Sequence, residues 1–352
     1  MSTYDRVAGL PLTIDDYALE GLSRSVSSGF ERVSTVYHLR GGGEEGLGED
    51  VTYEAEEHHK QQERGPELPL AGEWTFDGFS EHLAATDQFP AGEPGWPVFR
   101  NYRRWGFESA ALDLALRQAG RSLAESVGRE PQPVRFVVSS RMGEPPTIEP
   151  VTRRLARYPD LRFKLDATPD WDDALIDGLV RTGAVDSIDF KGLYRGTVVD
   201  AKTDAAFYRR IAEAFPDAWL EDPDLEPDDA REALRPFEDR ITWDAPIHSI
   251  DDILAMPVLP RTVNLKPSRF GSVRALFDAY DFCAERGMGA YGGGQFELGV
   301  GRGQIQYLAA LFHADAPNDI APPGYDDLDP EPGLPANPLS PDPEPTGFRR
   351  RS

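Results

Sequence analysis

Arg162-Phe-Lys-Leu-Asp166, Ser187-Ile-Asp-Phe-Lys191, Ala218-Trp-Leu-Glu221, Ile241-Thr-Trp-Asp244 and Thr262-Val-Asn-Leu-Lys266 are short β-prone runs, and each of them ends on charge. Arg135-Phe-Val-Val-Ser139 precedes them and Gly289-Ala-Tyr-Gly292 follows, so that such runs recur every 21 to 31 residues or so. Amphipathic stretches separate most of them, at Ile148–Tyr158, Trp171–Thr182, Thr203–Phe215, Pro227–Leu234 and Ser272–Arg286. Strand and helix in regular alternation is the pattern of βα units around a parallel sheet. Asp319-Ile-Ala321 is a weaker eighth strand. The expected class is therefore α/β, a TIM-like (β/α) barrel.

Outward from this series the texture changes. Val33-Ser-Thr-Val-Tyr-His-Leu39, the turn Gly41-Gly-Gly43 and Gly46-Leu-Gly-Glu-Asp-Val-Thr-Tyr53 predict a hairpin. No Lys-Ser/Thr follows those glycines, as a phosphate loop would need. A long helix is predicted from Tyr102 to about Val127, with Trp105, Glu108, Leu112, Ala115 and Ala119 along one stripe. Its Ser109-Ala-Ala111 segment is small enough for close packing. Beyond about Asp327 the chain is rich in Pro, Asp and Glu and poor in apolar residues. Such a segment buries too little surface to offset its ordering entropy, so 328–352 is expected to be a disordered tail. The expected division is 1–130 α+β, 131–327 barrel, 328–352 tail.

The formal net charge of -24 disfavours nucleic acid and anionic membranes as partners, because no local basic patch overrides it. No apolar run approaches the roughly 18 residues of a membrane span, and the N-terminus lacks a basic-then-apolar leader. The lone Cys283 cannot form an internal disulfide. A cytoplasmic protein with a small-molecule partner is expected, and a homo-oligomer is compatible with it.

Lysine usage narrows the search. Only Lys60, Lys164, Lys191, Lys202 and Lys266 occur, against 32 arginines. Unlike arginine, lysine can give up its proton when its surroundings favour the neutral amine. Lys164, Lys191 and Lys266 all stand at strand ends, where a β/α barrel keeps its chemistry. The same ends carry Asp166, Asp189, Glu221 and Asp244. A buried charge is costly unless paired or metal-bound. Asp189, Glu221 and Asp244 come from three successive strands about 4.8 Å apart, so they can converge on one hard cation. Mg²⁺ is the expected metal, with Mn²⁺ as second choice. Strand-end acids that merely cap helices or pair with Arg are the plainer alternative for any single member of the set.

Trp219-Leu-Glu-Asp-Pro223, Thr242-Trp-Asp244 and Asn264-Leu-Lys-Pro-Ser-Arg-Phe-Gly271 resemble the enolase superfamily, in particular its muconate-lactonizing enzyme and o-succinylbenzoate synthase branch. Gly292-Gly-Gly-Gln-Phe-Glu-Leu-Gly-Val-Gly-Arg302 is similar to that branch's glycine-rich seventh strand and following helix. Gly46-Leu-Gly-Glu49 and Arg104–Ala115 resemble its α+β capping domain. The resemblance implies a lyase or isomerase in which a lysine removes a proton α to a carboxylate while Mg²⁺ stabilises the enediolate. It further implies Lys266 as acid/base, Lys164 as the first lysine of a Lys-x-Lys pair, and a capping segment at 14–32 that closes over substrate. Gln295 and Glu297, near the seventh strand, are candidates for contacting substrate or Lys266, or for a structural turn.

Three positions depart from the family pattern. Asp166 stands where the second lysine of the pair belongs, and could be a desolvated base, a partner of Lys164 or a mark of lost activity. Asp189-x-Lys191 replaces Asp-x-Asn, so Lys191 either substitutes for the missing lysine or pairs with Asp189. Asp244-Ala245 lacks a second carboxylate. Lys164-Leu-Asp166-Ala-Thr168 also resembles the family's first metal motif, which would make Asp166 the ligand; strand counting favours Asp189. These departures leave a second class open, a catalytically altered barrel that binds a ligand or partner. A zinc hydrolase is disfavoured, since no histidine set gathers at strand ends.

Overall fold

The computed structural model of the chain describes residues 1–25, 31–195 and 201–351. Its front part holds strands β1 (Pro11–Ile14), β2 (Asp16–Ser25), β3 (Glu31–Gly41), β4 (Glu44–Asp50) and β5 (Gly72–Thr75). β2, β3 and β4 form an antiparallel sheet, and β1 pairs antiparallel with β5. The expected hairpin is β3–β4, turned through Gly42 and Gly43 at φ +58° and +81°. Of the segment 14–32, Asp16–Ser25 is β2, and residues 26–30 lie outside the described residues.

The helix expected from Tyr102 to Val127 is in fact two, Phe99–Gln118 and Leu123–Val127. Gly120 at φ +65° breaks the first, and Ser122 with Glu125 forms a capping box that starts the second. The Phe99–Gln118 helix lies directly on β4. A Cβ at Gly46 would stand 2.3 Å from the Ala110 carbonyl oxygen, and one at Gly48 would stand 2.1 Å from that of Gly106. Only glycine on the strand and small residues on the helix allow this approach.

The parallel strands follow as β6 (Val138–Ser140), β7 (Phe163–Asp166), β8 (Val185–Asp189), β9 (Trp219–Glu221), β10 (Ile241–Thr242), β11 (Thr262–Asn264) and β12 (Gly289–Tyr291). β6 to β10 pair in sequence order, and β11 pairs with β12, all parallel. The Asn264 N–H donates to the Trp243 carbonyl at 3.1 Å, which links β10 to β11. The expected eighth strand is reduced to single bridges, Asn318 to Phe136 and Asp319 to Gly293. The architecture is TIM-like, with regular pairing interrupted at these seams. Alternation along the strands sends Phe163, Leu165, Ile188 and Leu220 into the apolar core, and Lys164, Asp189 and Glu221 to the opposite face.

Two buried groups fasten the front part to the barrel. The Glu49 carboxylate on β4 accepts the N–H groups of Leu298, Gly299 and Gly301 at 2.7, 3.0 and 2.9 Å. The Arg32 guanidinium on β3 donates to the carbonyls of Val51, Thr52, Gln295 and Phe296. β3 and β4 thereby set the position of the chain just after β12, at the barrel mouth.

The tail from 328 onward departs from the expectation of disorder. Leu339 pairs with Val134, and Phe348 is fully buried beside Trp105 and Tyr307. The Phe348 N–H and the Arg349 guanidinium both donate to Asp113, and Arg117 binds Glu344. Few apolar residues are needed when each finds a ready-made slot. The many prolines also lower the entropy that docking must overcome.

Candidate active site and metal centre

Register decides which side chains meet. Asp166 pairs with Asp189 across β7–β8, and Asp189 with Glu221 across β8–β9. In parallel strands those residues share one level. Glu221 is in turn level with Thr242 of β10, so Asp244 stands two residues higher, roughly 6.6 Å of extended chain.

Three buried carboxylates, Asp189, Glu221 and Asp222, offer oxygens that all lie within 4.8 Å of one another. Asp222 enters because its backbone turns to φ +50°, which breaks strand alternation and brings its side chain back toward the mouth. Its two oxygens accept the N–H groups of Asp244 and Ala245, each at 2.8 Å. Burial, then the charges of Asp244 and Asp189, push its carboxyl up to about 7. Burial likewise holds Glu221 well above the usual carboxylate range, although Lys164 pulls the other way. The Tyr291 hydroxyl donates to Glu221.

Ammonium groups surround this cluster. Lys164 touches Glu221 and lies 3.2 Å from Asp189 and 3.6 Å from Asp319. Burial alone would lower its pKa, but Glu221, Asp189 and Asp319 outweigh it and hold Lys164 charged. Lys191 contacts Asp189 through its Nζ, donates its backbone N–H to the other Asp189 oxygen at 3.0 Å, and lies 3.4 Å from Asp166. Asp166 and Asp189 hold the Lys191 ammonium charged against the effect of burial. For Asp189 burial works upward, yet Lys191 and Lys164 keep the carboxyl below its ordinary range.

Asp244 faces a second set of cations. Its carboxylate meets Lys266 at 2.9 Å and Arg269 at 2.8 Å, and accepts the Tyr194 hydroxyl at 3.0 Å. Arg269 and Lys266 overcome burial and hold its carboxyl below the usual range. Lys266 passes close to Gly293; a Cβ there would stand 2.5 Å from its Cε and push the side chain from its present place. Gln295 bonds inward, accepting from Tyr53 at 2.9 Å and donating to Tyr102 at 3.0 Å. Glu297 accepts the Gln295 N–H at 2.7 Å and pairs with Arg302 at 3.1 Å.

The structure therefore brings Asp189, Glu221, Lys164, Lys191 and Asp166 to one side of the mouth, and Asp244 with Lys266 to the other. Asp222, Asp319, Tyr194 and Tyr291 were not singled out from sequence. Asp222 directly follows Glu221, and the alternation rule sends it to the wrong face; its positive φ has no sequence cue. The donor set suits a divalent metal. All three clustered donors are hard oxygens, as Mg²⁺ or Mn²⁺ requires, and the raised Glu221 and Asp222 mark an excess of negative charge that a cation would relieve.

Solved structures share this architecture. The dipeptide epimerase of Methylococcus capsulatus, complexed with Mg, matches 88% of this chain and 90% of its own at a TM-score of 0.66 and 18% identity. The muconate lactonizing enzyme of Pseudomonas putida matches 88% of both chains at 0.60 and 19%. In sequence, the o-succinylbenzoate synthase of Geobacillus kaustophilus is 30% identical over 233 residues, 63% of this chain and 59% of the relative. The N-succinylamino acid racemase of an Amycolatopsis species is 29% identical over 239 residues, 63% and 61% respectively. The matched region thus spans about three fifths of each relative's length. In fold the chain is thus similar to members of the enolase superfamily, and in sequence to o-succinylbenzoate synthases and an N-succinylamino acid racemase. The chain belongs to the family described as domain of unknown function DUF8230, whose N-terminal domain matches residues 5–126 and C-terminal domain residues 130–327. No helix among the described residues is long and apolar enough to cross a membrane.

Proposed function

We propose that this protein removes a proton α to the carboxylate of a small-molecule substrate, giving an enediolate that goes on to isomerisation, racemisation, cycloisomerisation or elimination. The observation that supports it most is the buried Asp189–Glu221–Asp222 cluster with lysines on both sides of the mouth. Asp189 and Glu221 would hold Mg²⁺, with Mn²⁺ as a substitute. Asp244, favoured by the motif, or Asp222, favoured by proximity, supplies a third oxygen. The cation, when bound, draws charge from the substrate carboxylate and so lowers the cost of the carbanion.

Lys266 is the base. To accept a proton it must present a neutral amine. Arg269 shares Asp244 with it, so Asp244 keeps a permanent counter-charge when Lys266 is neutral. Lys164 and Lys191, held charged by the carboxylates around them, supply positive charge beside the developing enediolate. Asp166 orients Lys191. The same internal pairing favours one other reading, a descendant that binds carboxylate ligands without turnover, because Lys164 and Lys191 already occupy Glu221 and Asp189.

Deuterium exchange at the α-carbon in D₂O separates the two. A panel of acid sugars, dipeptides, N-acylamino acids and cyclic carboxylates should include at least one substrate that exchanges. Lys266→Ala should then lower exchange by roughly 10³-fold or more while Mg²⁺ affinity stays nearly intact. Exchange that survives in Lys266→Ala removes that residue from its role. Mg²⁺ binding indifferent to Glu221→Gln sinks the metal-dependent reading.

A further inference from the structure

Lys191 stands out because one residue occupies both oxygens of a carboxylate in the metal cluster. Its backbone N–H takes one Asp189 oxygen at 3.0 Å, and its ammonium takes the other. To do so it adopts φ +55°, a left-handed conformation that a long side chain enters only when its surroundings hold it there. A second anchor lies within reach. The buried Oδ1 of Asp166 is 3.4 Å from the same Nζ and has no hydrogen-bond partner, while the other Asp166 oxygen is taken by Arg141 at 3.2 Å. Asp166 is not among the three clustered donors.

We propose that Lys191 is a tethered competitor for the divalent cation, resting on Asp189 when the metal is out and moving to Asp166 when the metal is in. The two departures at 166 and 191 then work as one device: the lysine closes the metal position, and the aspartate receives the lysine when it opens. Lys164 also rests on cluster carboxylates, touching Glu221 and lying 3.2 Å from Asp189, with Asp319 3.6 Å away, but it lacks the backbone N–H bond by which Lys191 takes both oxygens of one carboxylate. The inference rests on the metal-dependent reading above.

Calorimetric titration of the purified full chain with Mg²⁺, and with Mn²⁺ as a second probe, tests it. Lys191→Asn should tighten binding by about 10-fold or more, the scale on which groups around a metal's ligands tune affinity. Asp166→Asn should weaken it in wild type, because the displaced ammonium loses its resting place. In the Lys191→Asn background Asp166→Asn should have almost no effect. Lys191→Arg keeps the charge and should bind no tighter than wild type. Should Lys191→Asn fail to fold, mass-spectrometric reductive methylation of wild type serves instead: Mg²⁺ should change the labelling rate of Lys191 and leave that of exposed Lys60 unchanged.

Equal affinity in wild type and Lys191→Asn, with binding lost in Glu221→Gln, overturns the competitor and leaves the metal site standing. An unchanged Lys191 labelling rate does the same. No binding of either metal by wild type or Lys191→Asn overturns both.

Discussion

Two acid-rich parts of this chain behave in opposite ways. At the strand ends Asp189, Glu221, Asp222 and Asp244 are all buried, and each meets lysine, arginine or a backbone N–H. In the tail Asp329, Glu331 and Asp342 are exposed, while Leu339 and Phe348 turn inward. The first region is organised by its charges. The second is held by a few apolar anchors and by Arg349 on the buried Asp113, while most of its own acids face solvent. Acidic composition therefore says little until the residues opposite are known.

The largest effect that would break this contrast is on the tail. Phe348→Ala removes a buried ring that meets Trp105 edge-on at 6.4 Å and Tyr307 at 6.3 Å. It should cost about 3–5 kcal/mol of stability, read as a lower urea midpoint at unchanged slope. Stability equal to wild type would mean that the anchors do not hold the tail, and the compositional expectation of disorder would return.

Sequence and structure part company for the same reason. Parallel strands and strand-end acids were legible because period and position carry them: Lys164, Asp189 and Glu221 fall where alternation and strand counting put them. Asp222 was illegible because a single positive φ reverses alternation. The expectation that Asp189, Glu221 and Asp244 converge rests on strand spacing alone, which carries no register; pairing Glu221 with Thr242 sets Asp244 two residues higher. Gln295 is a candidate from its place near the seventh strand, but its ties to Tyr53 and Tyr102, some two hundred residues away in the chain, leave no local mark. The tail failed because averaging over a window dilutes two decisive residues among many prolines.

A middle-sized effect tests the charged region. The Asp222 carboxyl is pushed from 3.8 up to about 7, chiefly by burial and then by Asp244 and Asp189. Between those values the folded protein keeps a proton that the unfolded chain releases. The Asp222 contribution to stability should therefore fall as pH rises through this window. Asp189 and Asp244 are shifted the other way, so they act only in stronger acid. With a chelator present, the Asp222 contribution, read as wild type minus Asp222→Asn, should fall by on the order of 2 kcal/mol from pH 5 to pH 8. The buried His313 and His58 and the half-buried His248, whose pKa values are lowered by burial, act in the opposite sense in both proteins. Asp222→Asn should flatten the slope. An unchanged slope in that variant would show that the clustered acids do not repel one another as their spacing demands.

The smallest effect sharpens the contrast from the other side. Arg153 binds Asp329 of the tail, with side chains 44% and 62% exposed. Water screens such a pair, and two long side chains lose freedom in making it. Arg153→Ala should change stability by about 0.5 kcal/mol or less, far below the loss of Phe348, in a urea titration at moderate salt. A cost near that of Phe348→Ala would mean that the tail, like the barrel mouth, is held by charge. It would then be the surface pairs, not the buried anchors, whose contribution had been misjudged.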